Sequence, residues 1–206
     1  MMTDDSAPEL GLFAALPEVD EDANQRLHAR LVGAATEAGL LDVAYRTIDT
    51  PVGELLLAAT ERGLVRVAYA SEGHQAVLER LAREVSPRVL LAPARLDRAA
   101  REIEEYFARR RSVFDLPLDL RLARGFRRTV LSHLPEIGYG TTASYAAIAA
   151  LAGRPTAVRA VGTACATNPL PVVVPCHRVV RSDGSIGRYV GGADVKQALL
   201  TLEAAA

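Results

Sequence analysis

The chemistry of this chain is concentrated in Pro175-Cys176-His177-Arg178. A thiol beside an imidazole can be converted to a thiolate, and the thiolate is the nucleophilic form of cysteine. The apolar run Pro171-Val172-Val173-Val174 precedes the pair and Val179-Val180 follows it. This placement predicts a strand or tight turn that holds the sulfur in a mostly buried, pre-set position. Two facts weigh against a dyad on these residues alone. An isolated cysteine is more often a small buried hydrophobe than a nucleophile, and adjacent side chains on a strand point apart.

The flanking residues narrow the reading. Asn168-Pro169 lies just before the motif, and Gly187-Arg188-Tyr189-Val190-Gly191-Gly192 just after it. With these segments the sequence resembles the O6-alkylguanine-DNA alkyltransferases, the methylated-DNA–protein-cysteine methyltransferases. Pro175 to Val179 matches that family's active-site motif at every position. The resemblance runs from about Tyr45 to Glu203 and is densest from Phe126 onward. It implies a DNA repair protein that flips O6-alkylguanine out of duplex DNA and transfers the alkyl group irreversibly to its own Cys176, once per molecule. No cofactor is implied, because the protein itself accepts the alkyl group.

That reaction makes three demands. Displacement at a saturated carbon needs a soft, strong nucleophile, which a thiolate is. The guanine must be protonated or hydrogen-bonded as it leaves. The base must also come out of the stack to reach a buried sulfur.

The resemblance supplies a residue for each demand. Cys176 is the nucleophile. His177 corresponds to the base that draws the thiol proton through a bridging water, an indirect route that tolerates neighbours pointing apart. Glu203 stands where the family has the carboxylate that orients this histidine, giving a relay with the logic of the serine-protease triad. Asn168 braces the active-site turn and hydrogen-bonds near the thiolate. Tyr145 contacts the flipped base and a flanking phosphate. Arg159, among Ala157, Ala160, Gly162 and Ala164, enters the space the flipped nucleotide leaves, on a helix lying in the minor groove. Backbone N–H groups of Gly187–Gly192, including Val190 and Gly191, read the guanine edge with carbonyls near Cys176 and Val179, and Tyr189 packs beside the base. Taken without the resemblance, Glu203 is a solvated helix carboxylate, Asn168 a turn residue, Tyr145 half-buried packing and Arg159 a solvated cation.

Three departures from the family pattern stand out. Val190 replaces a serine found in several relatives. Cys165 replaces a larger apolar residue on the pocket wall, which would leave room for bulkier alkyl groups. Ala166 withholds a basic contact from the end of the recognition helix. Three rival functions compete with this reading, and the presence of Cys176 argues strongly against the first. A non-catalytic lesion sensor would lack the reactive cysteine. A transcription regulator would need an effector domain or a dimer interface. A Cys-His hydrolase would need an oxyanion hole and water access.

The elements that position these residues follow from hydrophobic periodicity. Val43–Asp49, Glu54–Thr60 and Leu64–Tyr69 read as strands, with Pro51-Val52-Gly53 and Glu61-Arg62-Gly63 as turns. Helices are expected near His74–Glu84 and Leu96–Arg110, and Ser112–Leu120 as a last strand. In the C-terminal half Phe126, Val130, Leu131 and Leu134 mark one helix. Ser144 caps Tyr145–Leu151, Thr156 caps Ala157–Ala166, and this pair resembles a helix-turn-helix. Ala193–Glu203 closes the chain with Val195, Ala198, Leu199 and Leu202 at helical spacing. The expected architecture is a 43–120 α/β domain, RNase H-like by resemblance, with a small antiparallel sheet plus helices. It is followed by a mainly helical 121–206 domain that binds DNA and carries the site. Residues 1–42 form an acidic extension, mobile over 1–20 and helical over part of 21–40.

Charge is distributed in the same sense. Residues 1–60 carry 3 Arg against 11 Asp and Glu, whereas residues 121–206 carry 10 Lys and Arg against 4. A polyanion is therefore expected on the C-terminal part, here alkylated double-stranded DNA met by a monomer. Two cysteines make no disulfide framework and fit a reducing cytosol. The four histidines are scattered and no Cys-x-x-Cys exists, so no metal site is expected. No apolar run has transmembrane length, and no basic region followed by an apolar stretch marks a signal peptide. The expected location is the cytoplasm, on the nucleoid when bound to DNA.

Overall fold

The computed structural model describes residues 20–204. The reading of residues 1–20 as mobile lies outside them, apart from Asp20. The described residues divide into two compact units, one ending at Gly39 and the other beginning at Leu40. In the first, helix α1 (Glu21–Glu37) starts at Asp20, whose carboxylate accepts from the Asp22 N–H at 3.0 Å. That cap satisfies one of the free donors of the first turn.

The second unit begins with a four-stranded sheet. Strands β1 (Val43–Ile48), β2 (Leu55–Thr60) and β3 (Gly63–Tyr69) form an antiparallel meander, and β4 (Val89–Leu91) adds to β1 in parallel. The strand order is β3-β2-β1-β4, so the sheet is mixed rather than wholly antiparallel. The parallel addition requires a crossover, and helix α2 (His74–Glu84) supplies it. Val77 and Leu81 of α2 pack on Val43, Leu56, Ala58, Val65 and Ala68. Helix α3 (Asp97–Phe107) buries Ala99, Ala100, Ile103 and Tyr106. No helix among the described residues is long and apolar enough to cross a membrane.

Ser112–Leu120, expected as a strand, makes only an isolated bridge from Leu118 to Leu64. Pro117 removes a ladder donor, and Val113 lies exposed. What this segment does is cover part of the edge of β3. The Leu64 N–H donates to the Pro117 carbonyl at 2.8 Å, and the Asp119 N–H to the Leu64 carbonyl at 2.8 Å. Farther along, the same edge is covered by the turn before Cys176, with the Val67 N–H donating to the Pro169 carbonyl at 2.8 Å. An edge strand needs such cover, and the cover joins the sheet to the reactive turn.

The helical part comprises α4 (Gly125–His133), α5 (Tyr145–Leu151), α6 (Val158–Ala166) and α7 (Ala193–Ala204). Ser144 caps α5, its hydroxyl accepting from the Ala147 N–H at 3.1 Å. Thr156 does not cap α6. The N-cap is Ala157, which offers no side-chain acceptor. Two-residue strands β5 (Ala143–Ser144) and β6 (Val179–Val180) pair in parallel. That short pairing sets the start of α5, and so Tyr145, beside the chain leaving Cys176-His177-Arg178.

Candidate active site

Cys176 opens a single 3-10 turn, Cys176–Arg178. The approach to it is made of very tight turns. The Val173 N–H donates to the Pro171 carbonyl at 2.9 Å across Val172, whose φ is 71°. A β-branched residue is rarely found at positive φ, and such a conformation costs about 1–3 kcal/mol. Pro175, at φ −79° and ψ 61°, then centres an inverse γ-turn in which the Cys176 N–H donates to the Val174 carbonyl at 2.8 Å. Asn168 staples this path. Its Nδ2 donates to the Val174 carbonyl at 2.8 Å and to Cys176 Sγ at 3.1 Å, and its Oδ1 accepts from the Leu170 N–H at 3.0 Å. Asn168 and Cys176 are each about 1 % exposed, so these bonds are shielded from bulk solvent.

His177 is fully buried, and its Nε2 lies 2.8 Å from Glu203 Oε1. The same carboxylate accepts from Arg178 Nε at 2.9 Å, Arg178 Nη2 at 2.9 Å and the Tyr106 hydroxyl at 2.7 Å. Burial by itself would raise the Glu203 carboxyl. The hydrogen bonds from His177, Arg178 and Tyr106 outweigh it and hold the group at about 2. An ionised carboxylate only accepts, so Nε2 carries the imidazole hydrogen. Burial also lowers His177 against the opposing pull of Glu203, which leaves a neutral ring with its lone pair on Nδ1. That nitrogen is buried and has no hydrogen-bond partner among the described residues. A neutral imidazole with a free Nδ1, backed by a carboxylate, has the protonation state that a general base requires.

Burial pushes the Cys176 thiol up to about 11, opposed by the Asn168 hydrogen bond and by Lys196. The resting pair is therefore thiol and neutral imidazole. Lys196 is completely buried on α7. Its ammonium donates to the Val179 carbonyl at 2.5 Å and lies 5.8 Å from the centre of the Tyr145 ring. Burial lowers its pKa, while the Cys176 charge would raise it. A thiolate at Cys176 would thus find a buried cation nearby. Lys196 thereby takes one of the two lone pairs of the Val179 carbonyl.

The remaining residues singled out in the sequence line the surroundings. Tyr145 is half-buried, and a Cβ added to Gly187 would sit 2.4 Å from its hydroxyl. Tyr189 is buried, edge-on to the His177 ring at 6.4 Å. Gly191 lies against the Tyr69 ring. Val190 borders a cavity behind Asn168 that Arg66 and Glu72 also line. Cys165 is buried on α6, and both cysteines are free thiols. Arg159 stands apart, exposed on α6 with its guanidinium in no ion pair among the described residues.

Sequence reasoning missed Lys196, Arg178, Tyr106 and Tyr69. Lys196 was within reach, because Lys196, Leu199 and Glu203 lie at i, i+3 and i+7 on one helical face. Arg178 sits inside the motif but carries no mark of its role. Tyr106 and Tyr69 come from elements over 60 residues away in the chain and left no local signal.

The chain is similar to known proteins over most of its length. Residues 43–120 match the family model of the 6-O-methylguanine DNA methyltransferase ribonuclease-like domain, and residues 125–205 that of its DNA binding domain. A methylated-DNA–protein-cysteine methyltransferase of Mycolicibacterium paratuberculosis is 39% identical over 161 residues, covering 78% of this chain and 92% of that protein. The crystal structure of Mycobacterium tuberculosis O6-methylguanine methyltransferase superposes with a TM-score of 0.70 at 37% identity, covering 79% of this chain and 93% of the other. The structure of the M. tuberculosis protein in complex with DNA gives 0.67 at 37% identity, with the same coverage. Two matched models in sequence order, and relatives aligned over nearly their whole length, place this chain in the 6-O-methylguanine DNA methyltransferase family.

Proposed function

We propose that this chain repairs alkylated DNA by moving the alkyl group from O6 of guanine to Sγ of Cys176. The observation that carries the reading is a buried thiol held by Asn168, next to a neutral histidine whose Nε2 is bound to an ionised carboxylate. The thiol proton passes to His177 Nδ1 through one bridging water, and Glu203 stabilises the imidazolium. The thiolate then attacks the saturated carbon in line with the O6–C bond. A carbon–sulfur bond forms as that bond breaks, and its electron pair leaves on the guanine. The guanine anion takes a proton from the Tyr145 hydroxyl, and the imidazolium returns one to the tyrosine. The products are an S-alkylcysteine and guanine. A thioether does not hydrolyse, so each molecule acts once. The added alkyl group overpacks a full site and lowers the stability of the product.

DNA is the partner, and the helical part of residues 121–206 is the surface for it, with residues 43–120 as its support. Arg124, Arg128, Arg154, Arg159, Arg181 and Arg188 are all exposed there and suit a phosphate backbone. The α6 helix enters the minor groove, where small residues allow close approach, and Arg159 fills the space of the flipped nucleotide. The protein acts as a monomer in the cytosol. Intact-protein mass after incubation with an O6-methylguanine oligonucleotide tests the reading, with Cys176→Ala as control. One added methyl per molecule, absent in the control, is expected. Lesion-selective binding with no mass change would make the chain a sensor, and multiple turnover would make it a hydrolase.

A further inference from the structure

Tyr69, at the end of β3, reaches the reactive site from the sheet. Its hydroxyl lies 3.0 Å from that of Tyr189, and both side chains are buried. The two rings meet edge-on at 6.0 Å, and Tyr189 meets His177 edge-on at 6.4 Å. The Tyr189 ring is thus held by Tyr69 on one contact and by the proposed base on another. A Cβ on Gly191 would come within 2.8 Å of the Tyr69 ring, so the loop backbone rests directly on it. The Gly187–Gly192 loop is therefore fixed at two points, by Tyr145 at Gly187 and by Tyr69 at Tyr189 and Gly191.

The strand that carries Tyr69 is itself registered on the thiol. The Val67 N–H is bonded to the Pro169 carbonyl, and Arg66 Nη1 donates to the Asn168 carbonyl at 3.4 Å. Arg66 is buried and paired with Glu72, and Glu72 also accepts from the Tyr69 N–H at 3.1 Å. Arg66, Val67 and Tyr69 of β3, with Glu72 just beyond the strand, thereby tie the sheet both to the asparagine that holds the sulfur and to the facing loop. Packing alone does not call for a hydroxyl pair here. Two phenylalanines would fill the same volume without burying two polar groups, which need a partner to be tolerated.

We propose that Tyr69 is a positioning residue that fixes the Tyr189 wall of the site and so sets the size of alkyl group that Cys176 accepts. The inference rests on the repair reading above. A bond that holds Tyr189 in place resists the displacement a bulky adduct requires and leaves a methyl group unaffected. Its loss is felt as a change in selectivity rather than as a uniform loss of rate.

The test is single-turnover transfer from duplex oligonucleotides carrying O6-methylguanine or O6-benzylguanine, using wild type, Tyr69→Phe, Tyr189→Phe and the double variant. Tyr69→Phe should raise the benzyl-to-methyl ratio of rate constants by about 2- to 10-fold, the worth of one hydrogen bond, with DNA affinity unchanged. Tyr189→Phe, which also alters the wall beside the base, should raise that ratio too, and the double variant should add nothing to it, because all three lose the same bond. An unchanged ratio in Tyr69→Phe, or effects that multiply in the double variant, would overturn the inference. If wild type transferred neither group, the repair reading itself would fail, which is a different result.

Discussion

Replacing Glu203 by Gln removes one charge at constant shape, and its neighbours fix the outcome. The carboxylate serves His177 Nε2, Tyr106 and Arg178 Nη2 at Oε1, and Arg178 Nε at Oε2. An amide has one acceptor oxygen. With that oxygen at the Oε1 position, its NH2 faces Arg178 Nε, donor against donor. Turned the other way, it opposes His177. Arg178 keeps its bond to the Ile137 carbonyl at 2.6 Å but loses its only ion pair among the described residues, while remaining buried. Breaking one side of a buried pair costs about 3–5 kcal/mol. At about 2–4 °C per kcal/mol for a chain of this size, the melting temperature should fall by about 6–20 °C. The rate should fall as well. In the proposed mechanism Glu203 supports the imidazolium through a charge-assisted bond worth about 1.5–3 kcal/mol, so alkyl transfer should slow by about 10- to 150-fold. Raising the pH should not rescue it, because His177 is already neutral. Calorimetry and single-turnover transfer at pH 7 and 9 read these outcomes. A melting temperature within about 2 °C of wild type, or a rate restored at pH 9, would refute the reasoning.

Three further outcomes are expected. Asn168→Ala removes the bond that lowers the Cys176 thiol. Thiol labelling should then shift to higher pH, and transfer should slow by about 10-fold but recover as the pH is raised, in contrast to Glu203→Gln. His177 and Glu203 both bind protons less readily folded than unfolded. The stability His177 contributes is complete above its ordinary value of 6.5 and is lost as pH falls through its lower folded value. The share from Glu203 is complete above 4.5 and is lost as pH falls through about 2. Urea midpoints should therefore drop in two stages on acidification, and Glu203→Gln should abolish the lower one. Gly187→Ala puts a Cβ 2.4 Å from the Tyr145 hydroxyl and should cost about 1–3 kcal/mol. Adding Tyr145→Phe should recover most of that stability but not the activity. Melting curves on both variants decide it.

The local pattern of this sequence was enough for the meander β1–β3 and the helices, and it marked Cys176 and His177 as candidates. Strands and helices announce themselves by period, and a candidate nucleophile by its residue type and neighbours. It was not enough for β4, because Val89–Leu91 is three residues long and only partly buried, too short to show a period. Ser112–Leu120 misled in the opposite way. Its alternation resembles a strand, but Pro117 leaves it only one bridge. Thr156 looked like a cap because of its type, whereas capping depends on backbone geometry at Ala157.

Asn168 and Glu203 came from motif resemblance, and only tertiary structure gives them physical roles. Glu203 would be an ordinary helix carboxylate if Arg178, Tyr106 and His177 did not converge on it in a buried place. That convergence makes it ionised, and its ionisation fixes which nitrogen of His177 is free. Tyr69 and Arg66 belong to a strand whose sequence speaks only of β structure. Their place beside Tyr189 and Asn168 follows from which edge of the sheet is covered, and by what. Periodicity and residue type are local properties, so the sequence alone determined most of the elements and singled out Cys176 and His177 as the candidate pair. The protonation states and the contacts between sheet and site depend on residues far apart in the chain and on the exclusion of water. Those conditions arise only when the chain has folded.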